Sequence, residues 1–121
     1  MKEFIEWLEY RLEESKDFNF SNHGDLWHLD HVIPIATFDL SIQDNHFIAF
    51  NWRNIMPYAG KENMHKKDKI DTDQISQHLI MLNKYHDINN IDFPITFNNL
   101  YAKHLMDRDW ETLYYLCHDI Y

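Results

Sequence analysis

At 121 residues the chain has room for one compact domain and too little length for two. Hydrophobic residues make up 45% and aromatics 16%, enough for a real core, which excludes global disorder. The single cysteine, Cys117, excludes an internal disulfide framework and a cysteine-based zinc site, so packing must hold the fold.

The net charge of −9 is an adverse sign for a nucleic-acid partner, because phosphate binding usually leaves a basic footprint. The distribution softens that sum. Residues 1–40 hold nine acidic and three basic residues, whereas Lys61, Lys66, Lys67 and Lys69 cluster further on. No run approaches the roughly 18 apolar residues of a membrane span, and the first residues enter an acidic amphipathic stretch rather than a secretory leader. A soluble, intracellular protein with no membrane partner is expected.

The spacing predicts an amphipathic helix over 2–15, with Phe4, Ile5, Leu8 and Leu12 on one stripe. Residues 17–26 predict a loop. Trp27 to Ile35 is dense in apolar and β-branched residues and predicts a short strand; residues 36–50 predict an irregular connection. Asn54 to Tyr58 predicts a second short strand, and Gly60 to Asp71 is polar and helix-compatible. A helix over 72–87 is expected, with Asp71 and Gln74 spaced as a capping box. Phe97 to Leu105 and Asp109 to Cys117 predict two further helices. Trp7, Trp27 and Trp52 are expected in the core, and His23, His46, His78, His86, His104 and His118 as surface or packing residues.

Chemistry concentrates in Trp27-His28-Leu29-Asp30-His31-Val32-Ile33-Pro34. A carboxylate beside an imidazole in an apolar strand needs a partner, because burying it alone is costly. A metal ion supplies that partner and leaves a neutral histidine free to take a proton from water. Downstream stand Asn54-Ile55-Met56-Pro57, and then Asn63 within Lys61-Glu62-Asn63-Met64-His65-Lys66-Lys67. A carboxylate and an amide oxygen, with the rest of the shell left to water and phosphate, suit magnesium or manganese.

The set Trp-x-x-Asp-His-x-x-Pro, Asn-x-x-Pro and Glu-Asn-x-x-Lys resembles the HNH (ββα-metal) endonucleases, particularly small stand-alone ones of viral and phage genomes. The match covers about 22–70. The resemblance implies an α+β fold: one domain over 1–121 with a ββα-metal core, flanked by an N-terminal helix and a helical C-terminal extension over about 71–121. It implies hydrolysis of DNA phosphodiester bonds with Mg²⁺ (or Mn²⁺). Asp30 and Asn63 would be metal ligands, Asn63 standing where many members have histidine. His31 would be the general base, and Asn54 the asparagine that ties the loop and orients it. Lys61, Lys66 and Lys67 would contact phosphate, and His28 and His65 would stand just behind the ligands. Two alternatives remain open: a catalytically weak nucleic-acid-binding module on the same scaffold, and a chain that docks on a targeting protein or forms a homodimer.

Overall fold

The computed structural model describes residues 1–105; the expected helix over Asp109 to Cys117 and the aromatic stretch from Trp110 lie outside them. Among the described residues the fold is α+β. Five helices surround a two-stranded sheet: α1 (Lys2–Ser15), α2 (Gln43–Ala49), α3 (Gly60–Lys66), α4 (Thr72–Ile88) and α5 (residues 95–105). The strands, β1 (Trp27–His31) and β2 (Ile55–Ala59), pair antiparallel, with Trp27 opposite Ala59 and His31 opposite Ile55. No described helix is long and apolar enough to cross a membrane.

Helix α1 covers the predicted range, but its buried side is Trp7, Leu8 and Leu12, and Ile5 is exposed. The stripe turns because Trp7, the largest apolar group, takes the centre. Its indole Nε1 donates to the Ile55 carbonyl at 2.7 Å, locking α1 onto the start of β2. The main core gathers Trp7, Val32, Ile33, Met56, Ile75, Leu82, Tyr85, Phe97 and Tyr101, so α1, α4 and α5 all pack around the segments that carry the two strands. Trp27 belongs to a second cluster with Leu8 and Leu12. Trp52 is half-buried and stacks flat on His86 at 5.6 Å.

Two expectations need correction. The first strand stops at His31 rather than continuing to Ile35, because the next backbone groups are used across the loop. Val32 donates to the Asn54 carbonyl, and a 3-10 turn comes next at Ile35–Thr37. The connection over 36–50 is not wholly irregular either: it contains α2, a seven-residue helix whose buried residue is Ala49. So short a helix, with so narrow a buried face, leaves little hydrophobic periodicity to read. It still fixes the approach to β2, since the Ala49 carbonyl is a partner of Asn54.

Candidate functional site

Asn54 is wholly buried and saturated with hydrogen bonds. Its Nδ2 donates to the carbonyls of Ile33 (3.0 Å) and Ala49 (3.1 Å), and its Oδ1 accepts from the Ile33 N–H (2.9 Å). Its backbone carbonyl takes the Val32 N–H at 2.8 Å. One side chain therefore clamps the chain just after His31 to the end of α2 and the start of β2. The clamp is itself buttressed. The Tyr101 hydroxyl of α5 donates to the Arg53 carbonyl at 2.6 Å and lies 3.3 Å from Asn54 Oδ1, and His78 Nε2 of α4 lies 2.7 Å from the same Arg53 carbonyl.

His31 sits where β1 leaves the ladder. Its ring meets Phe50, the residue capping α2, edge-on at 5.7 Å, and neither ring nitrogen makes a hydrogen bond among the described residues. Burial pushes its pKa below the ordinary histidine value. The Asp30 charge opposes that shift and Lys66 adds to it, so the net movement is downward. The imidazole is thus mainly neutral near pH 7, with one ring nitrogen free to accept a proton.

Asp30 turns the other way, towards α3 and α4. Its Oδ2 accepts from Lys66 Nζ at 2.5 Å and from Gln74 Nε2 at 2.7 Å; its Oδ1 accepts no hydrogen bond among the described residues. Lys66 is 5% exposed, and its ammonium also donates to the carbonyls of His31 (2.8 Å) and Val32 (3.2 Å). All three ammonium donors are therefore consumed inside the protein. The expectation that Lys66 contacts phosphate gives way to an internal role: its cation balances Asp30 and ties α3 to the end of β1. Lys61 and Lys67 are exposed at the two ends of α3.

Helical spacing settles the direction of Asn63. Gly60 lies against His28, so that a β-carbon there would stand 3.4 Å from His28 Cδ2, while Lys66 reaches Asp30. Residues 60, 63 and 66 to 67 share one helix face. Asn63 is therefore on the face turned to β1, between the points that meet His28 and Asp30, and its amide makes no hydrogen bond among the described residues. His28 is exposed, with His23 beside it at 6.1 Å between ring centres. His65 is exposed on α3 with no described contact to Asp30.

Gln74 is the residue that sequence reasoning missed. Half of the expected capping box forms: Asp71 Oδ1 accepts from the N–H groups of Asp73 and Gln74. The Gln74 side chain does not return the bond and runs instead to Asp30. Its spacing from Asp71 carried a signal of capping, and nothing in one sequence linked it to a residue 44 positions earlier.

In comparisons with known proteins, no family model and no solved structure matches the chain. It is similar to two proteins of Acanthamoeba polyphaga mimivirus, both described as uncharacterized. One is 39% identical over 82 residues, covering 68% of this chain and 35% of the relative. The other is 36% identical over 75 residues, covering 62% and 32%. The chain spans about a third of the length of these relatives.

Proposed function

We propose that this chain is a metal-dependent endonuclease of the HNH type, hydrolysing phosphodiester bonds in DNA with His31 as general base. The observation that carries the reading is the strand–loop–strand–helix unit in which Asn54 clamps the loop after His31 while Asp30 of β1 is held against α3, the helix that carries Asn63. A purely structural Asp-His pair would not need a buried asparagine saturating both sides of the turn behind it.

The donor set fits a small hard cation. Asp30 Oδ1 and the Asn63 amide oxygen are hard oxygen donors without partners, and no group of three His, Cys, Asp or Glu side chains converges among the described residues. Two protein oxygens with the remainder of the shell left to water and phosphate suit Mg²⁺ or Mn²⁺ rather than zinc. When bound, the ion supplies Lewis-acid polarisation of a phosphate oxygen and neutralises charge on the leaving oxygen.

The chain's own groups supply the rest. His31, neutral and unpaired, accepts a proton from water through a ring nitrogen; the water oxygen bonds to phosphorus as the bond to the 3′ oxygen breaks. Asn54 holds the backbone from which that ring projects. A strand approaching His31 would also meet the exposed ring of Phe50 (52%), which caps α2 edge-on to His31, with the exposed ring of Phe47 (67%) three residues earlier on α2. Aromatic faces of this kind hold unpaired bases by stacking, which is independent of charge. Lys61, Lys67 and Lys69 are the exposed cations near α3.

A second reading has one observation in its favour. The Lys66 ammonium already neutralises Asp30, as expected of a scaffold that binds nucleic acid without cutting it. One experiment separates the two. Supercoiled plasmid and single-stranded DNA are incubated with Mg²⁺ or Mn²⁺ and with wild-type or His31→Ala protein. Metal-dependent cleavage that falls by about 10²–10⁴-fold in His31→Ala supports the enzyme; no cleavage with any divalent ion refutes it.

A further inference from the structure

The grip on Asp30 is unequal in kind. Lys66 brings a charge, and its other donors tie down the backbone of His31 and Val32. Gln74 brings a neutral N–H to the same Oδ2 and bonds to nothing else through its side chain. It is 3% exposed, and its Oε1 is one of two buried side-chain atoms without a hydrogen-bond partner among the described residues. An unpaired buried carbonyl destabilises a fold, whereas an apolar side chain of similar shape would not. Packing therefore does not account for glutamine here. Helix capping does not either, because Asp71 already satisfies the Gln74 N–H and the side chain leaves the cap.

What the side chain achieves is geometric. With Lys66 alone, the Asp30 carboxylate can rotate and present both oxygens to the ammonium. A second donor on Oδ2 from α4 fixes the carboxylate plane and keeps Oδ1 out of the ion pair. The Oδ1 atom has no partner and is not among the atoms sealed from solvent. We propose that Gln74 is a positioning residue that holds Asp30 as a one-oxygen ligand, with Oδ1 reserved for a divalent cation. This role rests on the nuclease reading, and it assigns a part of the site to α4, outside the stretch that carries the motif.

The test is Mn²⁺ binding by the full chain, read as loss of the free-ion electron paramagnetic resonance signal, beside thermal melting without metal. Gln74→Leu removes both the donor and the orphaned oxygen. The expected result is Mn²⁺ affinity weaker by about 10–100-fold, the usual effect of losing a group that orients a ligand, with a melting temperature equal to wild type or higher. A residue of merely structural importance would lower the melting temperature and leave the affinity of the folded fraction unchanged. Wild-type binding matched by Gln74→Leu overturns the proposal and leaves the nuclease reading intact; a wild type that binds no Mn²⁺ overturns both. Should Gln74→Leu fail to fold, Mg²⁺ titration of the wild type by amide NMR decides. The Gln74 side-chain NH₂ pair is expected to shift as the ion binds, and an unmoved pair refutes the role.

Discussion

Lys66→Met is the perturbation whose outcome depends most directly on the geometry of the site. Methionine keeps an unbranched apolar stem but removes the ammonium from Asp30 Oδ2 at 2.5 Å and from the carbonyls of His31 and Val32. The side chains of Lys66 and Asp30 are 2% and 11% exposed, so little solvent screening weakens the pair. Removing one partner of such a pair costs about 3–5 kcal/mol, because the other charge is left uncompensated. Against a total stability of about 5–15 kcal/mol, the variant should melt roughly 10–20 °C lower. The informative arm is metal. If Asp30 holds a divalent ion as proposed, Lys66 and the ion compete for its charge in the wild type, and in Lys66→Met the ion alone would neutralise it. Added Mn²⁺ should therefore raise the variant's melting temperature more than the wild type's. A tenfold gain in affinity would appear as about 1.4 kcal/mol of extra stabilisation at saturation. Melting curves with and without Mn²⁺ read both quantities. A variant as stable as wild type, or one whose response to metal is no larger, refutes the electrostatic account of Asp30. The sign is opposite to that for Gln74→Leu, since one residue supplies charge and the other orientation.

Asn54→Ala strips four side-chain hydrogen-bond contacts and leaves the Ile33 and Ala49 groups unpaired in the interior. A loss of at least about 3 kcal/mol is expected by urea denaturation, with cleavage lost even where the fold survives; an unchanged midpoint would be inconsistent with the clamp. The pH dependence arises from three histidines whose folded pKa values are depressed below 6.5, His31 and His86 in direction and His78 to about 3, all chiefly by burial. Near and below pH 6.5 the unfolded chain binds more protons than the folded one, so stability is complete above that value and falls as the pH drops towards 3. Urea midpoints from pH 7.5 to 4 should decline, and less steeply in His78→Gln; a flat wild-type profile would contradict it. Cleavage should likewise rise with pH along a limb whose midpoint lies below 6.5, as His31 becomes neutral. Phe50→Ala and Phe47→Ala should each weaken binding of a single-stranded oligonucleotide by about tenfold, measured by fluorescence anisotropy at fixed salt. Equal affinity in both variants would remove α2 from the substrate face.

The residues alone reveal whatever chemistry or periodicity expresses locally. Helix α1, the two strands, α4 and its Asp71 cap all show in short windows, because alternation, proline and capping residues act over a few positions. The candidate site residues Asp30, His31, Asn54 and Asn63 are legible as types at a spacing. Their partners are not. Lys66 in a run of lysines reads as a solvated or phosphate-facing cation, and only the packing of α3 across the end of β1 turns its ammonium inward to Asp30. His78 looks like any other histidine, yet it is buried, neutral and wedged between Arg11 and the Arg53 carbonyl. Such assignments depend on contacts across 25 to 67 positions, which no local pattern encodes.

The same contacts bear on the purpose of residues 71–105. Their helices resemble an elaboration appended to a self-sufficient ββα unit. The hydrogen bonds argue otherwise. From α4, Gln74 grips the candidate metal ligand and His78 holds the Arg53 carbonyl; from α5, Tyr101 holds that same carbonyl and reaches Asn54. Each of the two positions that the proposed chemistry needs fixed, the carboxylate of Asp30 and the turn behind His31, is thus secured from outside the motif. A chain with two short strands and a seven-residue α3 has little core of its own with which to do this. Truncation after residue 70 should therefore abolish Mn²⁺ binding as well as cleavage, and a truncated chain that still binds the ion would show that the ββα unit organises its own site.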